Sequence, residues 1–209
     1  MFALLALGVV VPYELIVLAV SGRNPFDTHA STETVIVLTL LDSLLVGGLI
    51  SALYVHALRM IGEGAPARIA PVMTRAVRAL PTVVAAQIIA TLGIGLGLIV
   101  IIPGILLAIR WAVVAQAAAI ENENWVEALK QSGRLTAGNY LHVLGVLLVS
   151  GLIAIALTNG AIAAVGTRKT VQAISVGIAV ETVARSFVAL TASILFFDLL
   201  ARRQVLRGP

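Results

Sequence analysis

Apolar runs of roughly 18 or more residues recur along this chain, divided by short arginine-bearing stretches, and each run can cross a hydrocarbon core of ~30 Å. The pattern predicts about six spans, over 2–20, 35–60, 80–102, 105–120, 140–158 and 172–200. The second is long enough to lean or protrude. No basic n-region or small-residue cleavage site marks the first run as a signal peptide. The chain opens almost within hydrocarbon, and a start placed late is expected.

Between the second and third runs, over 62–79, Ile69, Val72, Met73, Ala76 and Val77 alternate at helical spacing with Arg68, Arg75 and Arg78. Over 124–136, Trp125, Ala128, Leu129 and Leu135 face away from Lys130 and Arg134. Both segments read as amphipathic helices lying on the cytoplasmic leaflet. Asn124 supplies an N-cap for the second, and Gly138 stands just past its end. Each surface helix precedes a rising and a falling span, a faint internal repeat that is read as architecture.

Composition agrees with the pattern. In 209 residues, 60% are hydrophobic and 11% charged, and the mean hydropathy is +1.06. A soluble domain carries about a quarter charged residues, so most of this surface must face something other than water. The expected fold is all-α: one polytopic membrane bundle over 1–209, with about six transmembrane helices and two cytoplasmic interfacial helices.

The charge balance orients the bundle. Arg59, Arg68, Arg75, Arg78, Lys130, Arg134, Arg202, Arg203 and Arg207 fall on one side, and Arg23, Arg168 and Lys169 on the other. The positive-inside rule then places both termini in the cytoplasm of a multi-pass cell-membrane protein. A net charge of +4 and a pI near 10.1 sit at segment ends, which fits anionic lipid at the cytoplasmic face and not nucleic acid. With no cysteine, disulfides, thiol nucleophiles and thiolate metal sites are excluded.

Charge inside the membrane is the main candidate chemistry. Glu14, Asp42, Arg110, Glu181 and Arg185 all fall within predicted spans, very roughly one to four helical turns below the outer surface at ~1.5 Å per residue. Each costs about 2.5–3.5 kcal/mol at a helix centre, so they are expected to pair or to face water. One reading is an outward polar cavity for a small solute, an ion or a lipid headgroup. The other is a buried ionic network that fixes helix packing, with Arg110 pinned by Glu14, Asp42 or Glu181.

Other features point to packing. Gly93-Ile94-Gly95-Leu96-Gly97 lies in an apolar run with no strand before it, so helix–helix contact is expected rather than a dinucleotide fingerprint. Gly47, Gly48, Ser51 and Ala52 read the same way. Pro103 and Gly104 mark a helix break, the turn between antiparallel spans. Asp198 and Arg202 form an i,i+4 pair at the cytoplasmic end of the last span. His29, His56 and His142 show no metal-ligand spacing. Neither a Gly-x-Ser-x-Gly nor a P-loop pattern occurs.

The order Gly-rich run, Pro103-Gly104, Arg110-Trp111, acidic Glu121 and Glu123, then Glu127-Ala128-Leu129 with Ser132, Leu135 and Gly138 resembles the glycerophosphoryl diester phosphodiesterase membrane-domain family and its stand-alone relatives. The ending Phe196-Phe197-Asp198-Leu199 with Arg202-Arg203 is similar too. In some members such a region anchors a soluble phosphodiesterase barrel; in many it stands alone with no established activity. No histidine here is followed by Arg-Gly, so the resemblance implies no hydrolysis. The expected function is a non-enzymatic, cofactor-free membrane module in envelope or lipid homeostasis, or one that anchors a membrane protein partner. The alternative is a small-solute or lipid transporter, or its membrane-embedded binding subunit, that uses the polar cluster.

Overall fold

The computed structural model of the protein describes residues 2–21, 40–66, 68–121, 124–165 and 171–207. All regular structure among them is helical. The elements are α1 (Phe2–Ser21), a π-helical turn (Asp42–Gly47) running directly into α2 (Gly48–Gly62), α3 (Ile69–Gly97), a 3₁₀ turn (Leu98–Val100), α4 (Ile102–Arg110), α5 (Val114–Glu121), α6 (Trp125–Thr136), α7 (Tyr140–Val165) and α8 (Val171–Arg207). Five stretches are long and apolar enough to cross a membrane: Asp42–Gly62, Ile69–Val100, Ile102–Ile120, Tyr140–Gly160 and Val176–Gln204. The start of the second expected span, at 35–39, lies outside the described residues.

Two boundaries differ from the expectation. The amphipathic segment before the third span is not a separate helix. Residues 69–97 form one rod of 29 residues, because Pro81 follows a segment that is already helical and its cost is carried by packing on both sides of it. Val72, Ala76 and Ala79 face the core as the spacing requires, while Ile69 and Val77 are exposed. The fourth expected span is also not one helix. It breaks at Trp111, whose φ of −106° and ψ of 16° leave the helical region.

The second amphipathic segment forms a helix at the expected bounds, though Trp125, expected on its inner face, is exposed. Trp125–Thr136 starts after Asn124 at the N-cap position, though the Asn124 side chain makes no capping bond. It stops before Gly138, whose φ is +84°, a conformation suited to glycine. Ala128, Ser132, Gly133, Leu135 and Thr136 form its buried face, and Lys130 pairs with Glu127 at 2.7 Å on the exposed face. That pairing holds the Glu127 carboxyl below its ordinary range. The pair is therefore present near neutral pH and is lost as pH falls through the acid range.

The short helix α5 is the centre of the bundle. Val113 through Ala119 are all buried, enclosed by α2, α3 and α6. Alanines here let neighbouring backbones approach, which is how apolar helices gain contact where hydrophobic burial gives no net advantage. Around this centre pack Ile50, Leu53 and Tyr54 of α2, Val72 and Val83 of α3, and Phe196 and Leu199 of α8. The Tyr54 hydroxyl is satisfied by donating to the Phe2 carbonyl at 2.7 Å. Helix α7 is peripheral and pairs mainly with α8.

The glycine pattern separates into contact and non-contact faces. A Cβ on Gly97 would lie 2.9 Å from Gly104 Cα, and one on Gly104 would lie 2.6 Å from the Leu98 nitrogen. One on Gly93 would meet the Trp111 ring at 2.5 Å, whereas Gly95 opens onto empty space. The tight turn lies at Ile101, with φ of +54°, and not at Pro103-Gly104. Pro103 instead occupies the first turn of α4, where its missing N–H costs nothing. Gly104 serves the close approach of the two limbs. Gly104→Ala is expected to destabilise the protein by about 1–3 kcal/mol, read as a lowered melting temperature in detergent, while Gly95→Ala leaves it unchanged.

Candidate functional site

Three of the five intramembrane charges come together. The π-helical turn opens with Asp42, and its wider winding directs that side chain toward α8, where Glu181 and Arg185 stand one helical turn apart. Arg185 Nη2 donates to Asp42 Oδ2. It also donates to Glu181 Oε1 at 2.6 Å, with Nε adding a second bond at 3.2 Å. The guanidinium thus binds two carboxylates, one from its own helix and one from a chain segment far away in sequence. The side chains are 16% (Asp42), 23% (Arg185) and 30% (Glu181) exposed, so the group is enclosed by helices without being sealed.

Arg110 is not part of this group. The break at Trp111 leaves the Arg110 carbonyl without its full helical partner, and α6 supplies one: Ser132 Oγ donates at 3.0 Å, while Thr136 Oγ1, at 3.2 Å, shares its single proton with the Ser132 carbonyl at 3.0 Å. The Arg110 side chain lies across Gly133, where a Cβ would meet its Nε at 2.7 Å. Arg110 therefore sits at the α6–α7 junction.

Among the described residues no hydrogen bond or ion pair joins the Arg110 side chain to the triad. Asp198 accepts from Arg202 Nε at 2.8 Å and lies 3.3 Å from His142, in the first turn of α7. The junction thus meets α8 at Asp198. The Asp42–Glu181–Arg185 group lies ~20 Å further along α8 at ~1.5 Å per residue. The side chain of Glu14, in α1, lies outside the described residues, as does His29.

Spacing along one chain could reveal the Glu181–Arg185 and Asp198–Arg202 pairs, and it did. The expected polar cluster already held Asp42, without singling it out as the partner of Arg185, and spacing could not reveal His142 beside Asp198, since both contacts join distant helices. A cleft of about 510 Å³ between α7 and α8, lined by His142, Val146, Val149, Ser150, Phe187 and Thr191, opens on the outer surface of that helix pair. It does not include the triad.

A guanidinium held by two carboxylates has most of its donor capacity engaged, and its chemistry is positional. It can neutralise charge and lock α8 to α2. A buried acid without its base is the costly state. Comparison with known protein families, with curated proteins and with solved structures gives no match.

The coupling can be measured by a double-mutant cycle. Asp42→Asn and Arg185→Gln are each expected to lower thermal stability in detergent. The double variant should lose less than their sum, with a coupling of about 0.5–3 kcal/mol. Additive losses would show that the two side chains do not support one another.

Proposed function

We propose that this chain is a non-enzymatic integral membrane module, a helical bundle with both termini in the cytoplasm that serves envelope or lipid homeostasis or holds a membrane partner. The observation that carries this reading is the closure of the intramembrane charges on each other. Arg185 is bonded directly to Asp42 and Glu181, and the cleft between α7 and α8 does not reach them. A transport site needs polar groups facing a water-filled path; here Arg185 bonds both acids, and Asp42 Oδ1 is buried without a hydrogen-bond partner among the described residues. The likeness of residues 93–147 to the phosphodiesterase membrane-domain family supports the same reading.

Exposed basic residues support a role at anionic lipid. Lys130 and Arg134 stand on the exposed face of α6. Each basic residue near an anionic surface is worth about 1 kcal/mol, or roughly fivefold in affinity. In the reconstituted protein, Lys130→Glu and Arg134→Glu should each weaken retention of phosphatidylglycerol by at least that factor, with the fold intact. Proteoliposomes should show no saturable solute uptake. Uptake that saturates and disappears in Glu181→Gln would overturn the reading in favour of a transporter.

A further inference from the structure

The hairpin formed by α3, the 3₁₀ turn and α4 has a tip with no polar side chain. From Leu92 to Ile109 every residue is aliphatic, glycine or proline. Ile99 is 78% exposed, Ile102 70% and Leu96 69%. A turn that emerges into water or headgroups would carry Asn, Asp, Ser or Lys; this one carries Leu98-Ile99-Val100-Ile101. We propose that the hairpin is re-entrant. It enters the bilayer from the face that carries α6, buries its tip among the acyl chains of that leaflet, and returns without reaching the opposite face.

The depth follows from two limbs that agree. On the return limb, α4 has nine residues, ~14 Å at ~1.5 Å per residue, and its last carbonyl is held by Ser132 and Thr136 of α6. Helix α6 exposes Lys130 and Arg134, each costing about 2.5–3.5 kcal/mol in the hydrocarbon centre, so it lies at the water-facing surface. On the entering limb, the Trp111 ring presses on Gly93, and Gly93 to Ile101 spans ~12 Å. Whatever the inclination of the hairpin, its tip cannot pass more than ~14 Å beyond the level of Arg110, about half of a ~30 Å core. Helix α3 is long enough to cross, but below Gly93 it is committed to the bundle through Val83, Ala86 and Ala90.

The backbone of the tip is suited to that place. Hydrocarbon offers no partner for a free N–H. The irregular segment is kept to a few residues, Ile101 N–H donates to Leu98 O at 3.0 Å and Ile105 N–H to Ile101 O at 3.0 Å. Pro103 removes one of the donors a helix start leaves open. The Gly97–Gly104 approach keeps the cross-section small.

The chain lacks cysteine, so single cysteines report position directly. Ile99→Cys, Lys130→Cys and Asn159→Cys would be reconstituted and treated with a membrane-impermeant maleimide applied to either face. Lys130→Cys should label from one face and Asn159→Cys, near the far end of α7, from the other. Ile99→Cys should label from neither until detergent is added. A nitroxide at the same cysteine should collide freely with oxygen and not with a water-soluble nickel complex, at a depth near the bilayer centre. Labelling of Ile99→Cys from the Asn159 face would show a crossing hairpin, and labelling from the Lys130 face a hairpin in water. Exclusion of both oxygen and nickel, or dipolar coupling between nitroxides, would show a protein partner or a second copy over the tip. Each of these overturns the proposal. Val100→Cys serves in the same way if Ile99→Cys does not fold.

Discussion

The carbonyl of Arg110 is the point on which the architecture turns. A helix broken at Trp111 exposes a backbone acceptor that an apolar surrounding cannot satisfy. Ser132 satisfies it, with a share from Thr136, and in doing so they dock α6 against α4. Gly133, between them, leaves room for the Arg110 side chain to lie flat across the helix. The buried face of α6 is accordingly small and polar at this contact and apolar elsewhere. This polar contact fixes how α6 meets α4, while apolar packing encloses α5.

The triad works by the same rule with ions in place of dipoles. Asp42, Glu181 and Arg185 are tolerable inside the bundle because each ionised group finds its counter-charge within the protein. The π-helical turn beginning at Asp42 is the local adjustment that makes the long-range pairing geometrically accessible. π-Turns within helices often occur where one side chain must be redirected. The result is a clamp between the start of the α2 segment and the middle of α8.

Much of this was legible in the order of residues. Apolar periodicity gave the helical class and most helix positions, and the alternation of Lys130 and Arg134 with Ala128, Leu129 and Leu135 marked α6 closely. Pairs one turn apart, Glu181–Arg185 and Asp198–Arg202, were visible because helical spacing is a local property. The break inside the fourth run was not, since Arg110-Trp111-Ala112-Val113 carries neither proline nor glycine and its conformation is imposed by α6 and Gly93. Hydropathy likewise could not show that 69–79 joins the following rod, because Pro81 suggests a boundary that packing overrides.

The last helix has one more consequence. Its candidate span, Val176–Gln204, is 29 residues long, or ~43 Å at ~1.5 Å per residue, with Glu181, Arg185, Asp198, Arg202 and Arg203 along it, against a hydrocarbon layer of ~30 Å. A rod longer than the layer it crosses adjusts to membrane thickness by tilt. Because α8 carries both the Asp42 clamp and the His142 contact, a change of tilt would be felt at both ends of the bundle. Membrane thickness therefore acts on this protein through its longest rod.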